Sequence, residues 1–138
     1  MKLQIVKPEQ ESIEGYTRVN VAPNTIDLSV VSDNECTSIL ANDVLDSFSV
    51  ENVPGLLTQL VKKIRMGGEL IVGGTDIRLF CKFVVNDQID ELSATRLLGS
   101  VQSMTALNHT MGSLMELGLK IASSQVNGVH YEIKASRG

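Results

Sequence analysis

The chain has 138 residues, 43% hydrophobic and 20% charged, values of an ordinary globular protein long enough for a single domain, 1–138, with one core. A net charge of −4 without a Lys/Arg cluster excludes the footprint of a duplex DNA or RNA binder, and no apolar run is long enough to span a bilayer. The two cysteines, Cys36 and Cys81, match no metal spacing, and the N-terminus has no charged start followed by an apolar stretch, so a cytoplasmic setting with reduced thiols is expected.

Lys2–Val6 alternates and is β-branched, which predicts a first strand ended by Lys7-Pro8. The next stretch, PEQESIEG, holds one glycine and three glutamates. It is too short for a full parallel crossover, which takes roughly ten or more residues, so the first crossover is expected to be truncated. Thr17–Ala22 predicts a second strand stopped by Pro23-Asn24. Thr37–Ala41, an amphipathic helix and Glu69–Gly73 then read as one parallel βαβ unit. In that helix Val53, Leu57, Leu60, Val61 and Ile64 share a face. Pro54 suits the first turn, Lys62, Lys63 and Arg65 suit the negative end of the dipole, and Gly67 is expected to be the left-handed stop. Glu69–Gly73 has the composition of a strand buried on both faces, and Gly73-Gly74 either lets backbone approach closely or makes a turn, the turn being the expected reading.

Beyond it, Ile77, Phe80, Cys81, Val84 and Val85 predict a helix capped by Thr75 or Asp76. Leu92, Leu97 and Leu98 predict a short second piece ending at Gly99. A further helix is expected with Thr105 as cap, Leu107, Met111, Leu114 and Met115 facing inward, and Gly118 as stop. Leu119–Val126 and Val129–Ala135 flank Asn127-Gly128, the pair best suited to a two-residue type I′ hairpin turn. The fold class is α/β, with a mixed, mostly parallel sheet closed by an antiparallel hairpin.

Two ordered stretches carry a family resemblance. Ala41–Phe48 (ANDVLDSF) and the helix leading into Ile64-Arg65-Met66-Gly67-Gly68-Glu69-Leu70 resemble the second half of the class I S-adenosylmethionine-dependent methyltransferases. Tyr16–Pro23 is similar to the strand in which that family carries an acid for the ribose, and Met115–Lys120 to the segment that leads into its final strand pair. The resemblance covers Tyr16 to Arg137. It implies a Rossmann-like methyltransferase fold, S-adenosylmethionine as cofactor and methyl transfer to a small acceptor. It places Asn20 where the ribose acid stands, and Asn42 and Asp43 in the loop beside the methionine portion and the acceptor. It names no catalytic residue. The family's glycine-rich loop is missing after Val6, Asn20 lacks the charge-assisted strength of a carboxylate, and the adenine-side acid has no clear counterpart. Binding of S-adenosylmethionine is therefore expected to be weak or lost. Asp27 is either a compensating acid or an ordinary turn residue.

Residues just beyond the carboxyl ends of parallel strands face the ligand crevice, which also singles out Asn42 and Asp43; Asp46-Ser47 alternatively caps the following helix. His109 and His130 have no carboxylate pattern between them, so neither a metal site nor a catalytic dyad is expected from them. Cys36 and Cys81 have no neighbouring base in sequence and read as structural thiols. Two functions stay open, a reduced methyltransferase and a non-catalytic binding or assembly module that keeps the fold without the cofactor. An adenosine-like ligand in the crevice is a third. Because the truncated crossover bares sheet surface near the first two strands, a homodimer or higher oligomer is expected.

Overall fold

A computed structural model describes residues 1–138. Seven strands form one sheet: β1 (Lys2–Val6), β2 (Thr17–Ala22), β3 (Thr25–Ile26), β4 (Cys36–Ala41), β5 (Ile64–Thr75), β6 (Leu119–Asn127) and β7 (His130–Arg137). Their spatial order is β3-β2-β1-β4-β5-β7-β6. The helices are α1 (Val53–Lys63), α2 (Ile77–Val85), α3 (Glu91–Ser100) and α4 (Leu107–Glu116). β2, β1, β4 and β5 are parallel, whereas β3 and β7 run antiparallel to their neighbours. From β1 the chain winds one way through β2 and the other way through β4 and β5, which puts a topological switch point between β1 and β4.

The register sorts side chains onto two unlike faces. Leu3 lies opposite Ile39, Ile39 opposite Leu70 and Leu70 opposite Ala135, one apolar row on one face. That face carries a core of 25 buried residues, into which α1 sends Leu56, Leu57, Leu60 and Val61 and α4 sends Leu114. Burying each of these leucines stabilises by roughly 1.5–3 kcal/mol.

On the reverse face the link between the parallel strands β1 and β2 contains no helix, so the crossover is cut short as its length required. Polar stitching holds the loop instead. Gln4, only 4% exposed, donates from Nε2 to the Glu11 carbonyl at 2.9 Å and accepts from the Ile13 N–H at 3.0 Å. Arg18, opposite Gln4 in register, donates to the carbonyls of Lys7 at 2.9 Å, Pro8 at 3.0 Å and Gln10, and to Ser12 Oγ at 3.1 Å. Further along this face Glu69 pairs with Lys134 at 3.6 Å, and Leu40 and Ile71 are only half-buried. Glu69–Gly73 is thus covered on one face rather than both.

Other local expectations are corrected by long-range pairing. α1 ends at Lys63, and Ile64 is already extended (φ −81, ψ 130) and pairs with Cys36. Ile64 and Arg65 therefore belong to β5, and Gly67 stops no helix. Its φ of +82 serves a bulge, across which β4 advances from Cys36 to Ser38 while β5 advances from Ile64 to Glu69. Gly73-Gly74 makes no turn but lies inside β5. A Cβ at Gly73 would stand 2.1 Å from the Tyr131 carbonyl oxygen and 2.5 Å from that of Asn42. The hairpin forms, but Asn127 pairs with His130, so its two-residue loop is Gly128-Val129. Positive φ at Gly128 alone, +63, is the requirement of a type II′ turn rather than type I′. Val129 is buried and its carbonyl accepts from the Asp76 N–H at 2.7 Å, which anchors the turn one residue later. Thr105 does not cap α4. Asp76 caps two helices, accepting from the Arg78 and Leu79 N–H groups on Oδ1 and from the Leu107 N–H on Oδ2. Met115 is 55% exposed and leaves the inner face to Leu114 and Met111.

Candidate functional site

β1 and β4 end side by side, and the chain beyond them walls a cavity of about 380 Å³. Lys7, Gln10 and Glu11 line it from the β1 side and Asn42, Asp43 and Val44 from the β4 side. Its size falls within the roughly 300–1,000 Å³ of small-molecule pockets. Asn42 and Asp43 also line an adjoining cavity of about 280 Å³, shared with Gln125, Asn127, His130 and Glu132. The loop after β4 is common to both.

That loop is held by the 3-10 turn Val44–Ser47, which drives Val44 and Leu45 into the core and leaves Asp46 6% exposed. Asp46 does not cap α1. Its Oδ1 accepts from the Thr75 N–H at 2.7 Å and its Oδ2 from Thr75 Oγ1 at 2.9 Å. Burial pushes the Asp46 carboxyl up from the ordinary carboxylate range, against the pull of the two Thr75 bonds; the Asp43 charge adds to the rise and His130 opposes it. Thr75 Oγ1 lies 3.5 Å from His130 Nδ1, which is 4.0 Å from Asp43 Oδ1. Asp43, Asp46 and His130 present ligand atoms within 4.8 Å of one another. Asn42 Nδ2 donates to Glu132 Oε2 at 2.8 Å, tying the β4 loop to β7.

Of the residues singled out in the sequence, Asn42 and Asp43 come together at the crevice. Asn20 does not join them: its Oδ1 accepts from Arg18 Nε at 2.7 Å, beside the 7–16 loop. Asp27 is an exposed turn residue, and hydrogen bonds from the Ser29 side chain and backbone hold its carboxyl below the usual range. His109 is exposed on α4, Cys81 is exposed on α2, and Cys36 is buried with its thiol pushed up by that burial. His130, Thr75 and Glu132 were not foreseen. Only the pairing of β5 with β7, Thr75 opposite His130 and Gly73 opposite Glu132, carries them to the β4 loop.

No protein-family model matches the sequence and no curated protein matches it. Solved structures do. A SAM-dependent methyltransferase from Archaeoglobus fulgidus matches with a TM-score of 0.65 at 10% identity, over 99% of this chain and 86% of its own. The PH0226 protein from Pyrococcus horikoshii OT3 matches with a TM-score of 0.60 at 10% identity, over 90% of this chain and 60% of its own. An O-methyltransferase family 2 protein from Planctomyces limnophilus DSM 3776, in complex with apigenin, gives 0.59 at 15% identity, over 81% of this chain and 33% of its own. The chain thus spans less than two thirds of the latter two. At such identities the likeness is one of fold, and the fold is the Rossmann-like one of the class I S-adenosylmethionine-dependent methyltransferases.

Toward a ligand of that kind the two sides of the crevice differ. From β4, Asn42 and Asp43 offer an amide and a carboxylate to hydroxyl or ammonium groups. From β1, the loop turns the carbonyls of Lys7, Pro8 and Gln10 toward Arg18, and the Lys7 N–H is taken by Gln10 Oε1 at 2.8 Å. A cofactor carboxylate needs free backbone N–H groups there.

Proposed function

We propose that this chain takes S-adenosylmethionine weakly in the crevice between β1 and β4 and transfers its methyl group to a small polar acceptor in the adjoining cavity. The observation behind this reading is the Asn42-Asp43 loop, which lines both cavities at the switch point where ligands of such sheets bind. When bound, the cofactor supplies an electrophilic methyl group on a sulfonium. The chain supplies position and a base. Two cavities meeting at one loop hold donor and acceptor next to each other, which is where much of the rate of such a transfer originates. His130 takes the acceptor's proton, and the Asp43 carboxylate 4.0 Å away stabilises the imidazolium that forms. Thr75, pinned by Asp46, is the neighbour that orients Nδ1. A cytoplasmic setting, where both free cysteines stay reduced, belongs to this reading.

Affinity for the cofactor is reduced by the loop after β1 and by Asn20 of β2, which stands where the resemblance places the ribose acid. Losing one charge-assisted bond to a ribose hydroxyl costs on the order of 1.5–3 kcal/mol, roughly ten- to a hundredfold. The Arg18 clamp also favours a second reading, a non-catalytic binding or assembly module, because it ties the loop after β1 to β2 through the Lys7, Pro8 and Gln10 carbonyls. Calorimetric titration with S-adenosylmethionine and its demethylated product separates the two. The expected result is binding in the micromolar range or weaker that Asp43→Ala abolishes, with labelled-methyl transfer to polar acceptors lost in His130→Ala. Absence of heat with either compound at millimolar concentration supports the module.

A further inference from the structure

We infer that α2 and α3 form the surface through which two copies of this chain pair. Neither helix contributes to the 25-residue core, and Phe80 is the one residue of the two that is buried. On α2, Ile77, Cys81 and Val84 recur at helical spacing along the outward side with Val85 beside them; Ile77 is 44%, Val84 39% and Val85 78% exposed. Leu92 and Leu98 of α3 are 57% and 56% exposed. Exposed apolar side chains gathered along one side of a helix mark interaction surfaces. The excursion is tied to the body at its two ends. Asp76 holds the start of α2, and at the far end the Gln102 N–H donates to the Asp46 carbonyl at 2.7 Å while Ser103 Oγ donates to the Phe48 carbonyl at 2.7 Å.

The charges on this excursion point to a second copy as the occupant. Arg78 sits in the first turn of α2 and Lys82 in its last, and Asp87, Asp90 and Glu91 follow just beyond its end. Two α2 helices packed antiparallel about a two-fold axis near Cys81 bring Arg78 at the start of each toward the acidic stretch beyond the end of the other, an arrangement that satisfies itself by symmetry. Arg78, Lys82 and Arg96 balance Asp87, Asp90 and Glu91, so the surface has no basic excess for an anionic lipid layer. The bare face of the sheet is a poorer interface, because Glu69 and Lys134 occupy it as an ion pair.

Sedimentation velocity of the full chain, from low to high micromolar concentration, tests the pairing. The wild type is expected at twice 15.0 kDa, and the double variant Val84→Glu/Val85→Glu at 15.0 kDa with an unchanged circular-dichroism melting curve. Arg78→Glu and Asp87→Arg each weaken the dimer by about tenfold or more, and combining them restores it. A wild type that stays at 15.0 kDa at high micromolar concentration overturns the inference. A dimer unaffected by the Val84/Val85 variant, or charge reversals that fail to rescue each other, overturns this placement of the interface.

Discussion

On the face that carries α1 and α4, Leu3, Ile39, Leu70 and Ala135 stand in one row and are wholly buried. On the reverse face the neighbouring row reads Arg18, Gln4, Leu40, Ile71 and Lys134. Parallel sheets are nearly always covered on both faces by crossover helices. Here one face dispenses with them by placing polar and charged side chains beside a few half-buried aliphatics, and by tying down a short loop with hydrogen bonds instead of apolar contact. The two solutions meet at the carboxyl ends of β1 and β4, where the crevice lies. Its β4 wall rests on the packed core through Val44 and Leu45, and its β1 wall on the Gln4 and Arg18 stitching.

The largest expected difference between the faces lies in two adjacent residues of β5. Leu70→Ala should destabilise by roughly 2–5 kcal/mol, as for a fully buried leucine, whereas Ile71→Ala on the half-covered face should cost about 1 kcal/mol. Urea unfolding measures both. Equal losses would break the comparison, because the reverse face would then be as tightly packed as the core.

Next comes pH. Asp46 has a raised pKa in the folded protein, so the native state holds its proton more firmly than the unfolded chain does. Stability from this group is fully present below the ordinary value of 3.8 and falls as pH rises from there through the folded value. Asp46→Asn keeps the shape and removes that slope, so the variant should gain on the wild type as pH climbs above 3.8. Asp27 and Asp90, whose carboxyls are held low, act below 3.8 with the opposite sign and are common to both proteins. A pH-independent difference in unfolding free energy would show that Asp46 is well hydrated and that the border between the faces is open to water.

The smallest expected effect on stability, and the sharpest on local order, is that of Arg18→Ala. Digestion by a glutamyl endopeptidase at Glu9, Glu11 or Glu14 should quicken while the unfolding midpoint barely moves, since the clamp holds only the loop. Unchanged cleavage would mean that Gln4 alone suffices.

Much of the packed face was legible in the sequence, because period and capping are local signals: the α1 stripe from Val53 to Val61, the strands around it and the Asp76 cap all carry them. The reverse face was less so. Glu69-Leu70-Ile71-Val72-Gly73 has the composition of a strand buried on both sides, and nothing within it tells that the helix which would cover Ile71 is missing. Ile64 and Gly67 read as a helix end because the bulge that claims them depends on pairing with β4. At the site, Asn42 and Asp43 follow from the rule about strand ends, whereas His130 and Thr75 lie 55 residues apart and meet only through the β5–β7 ladder. Asn20 occupies a position that resembles a ribose contact, yet Arg18, two residues before it, takes its amide oxygen.

Whether the crevice takes the cofactor weakly and at the Asn42-Asp43 loop is decided by following the backbone amides of isotope-labelled protein as S-adenosylhomocysteine is added. The expected result is fast-exchange shifts at Lys7, Asn42, Asp43 and Val44, with Arg18 and Asn20 little moved. Slow-exchange saturation at stoichiometric ligand, or shifts that avoid the β4 loop altogether, would contradict both the weak affinity and the position of the site.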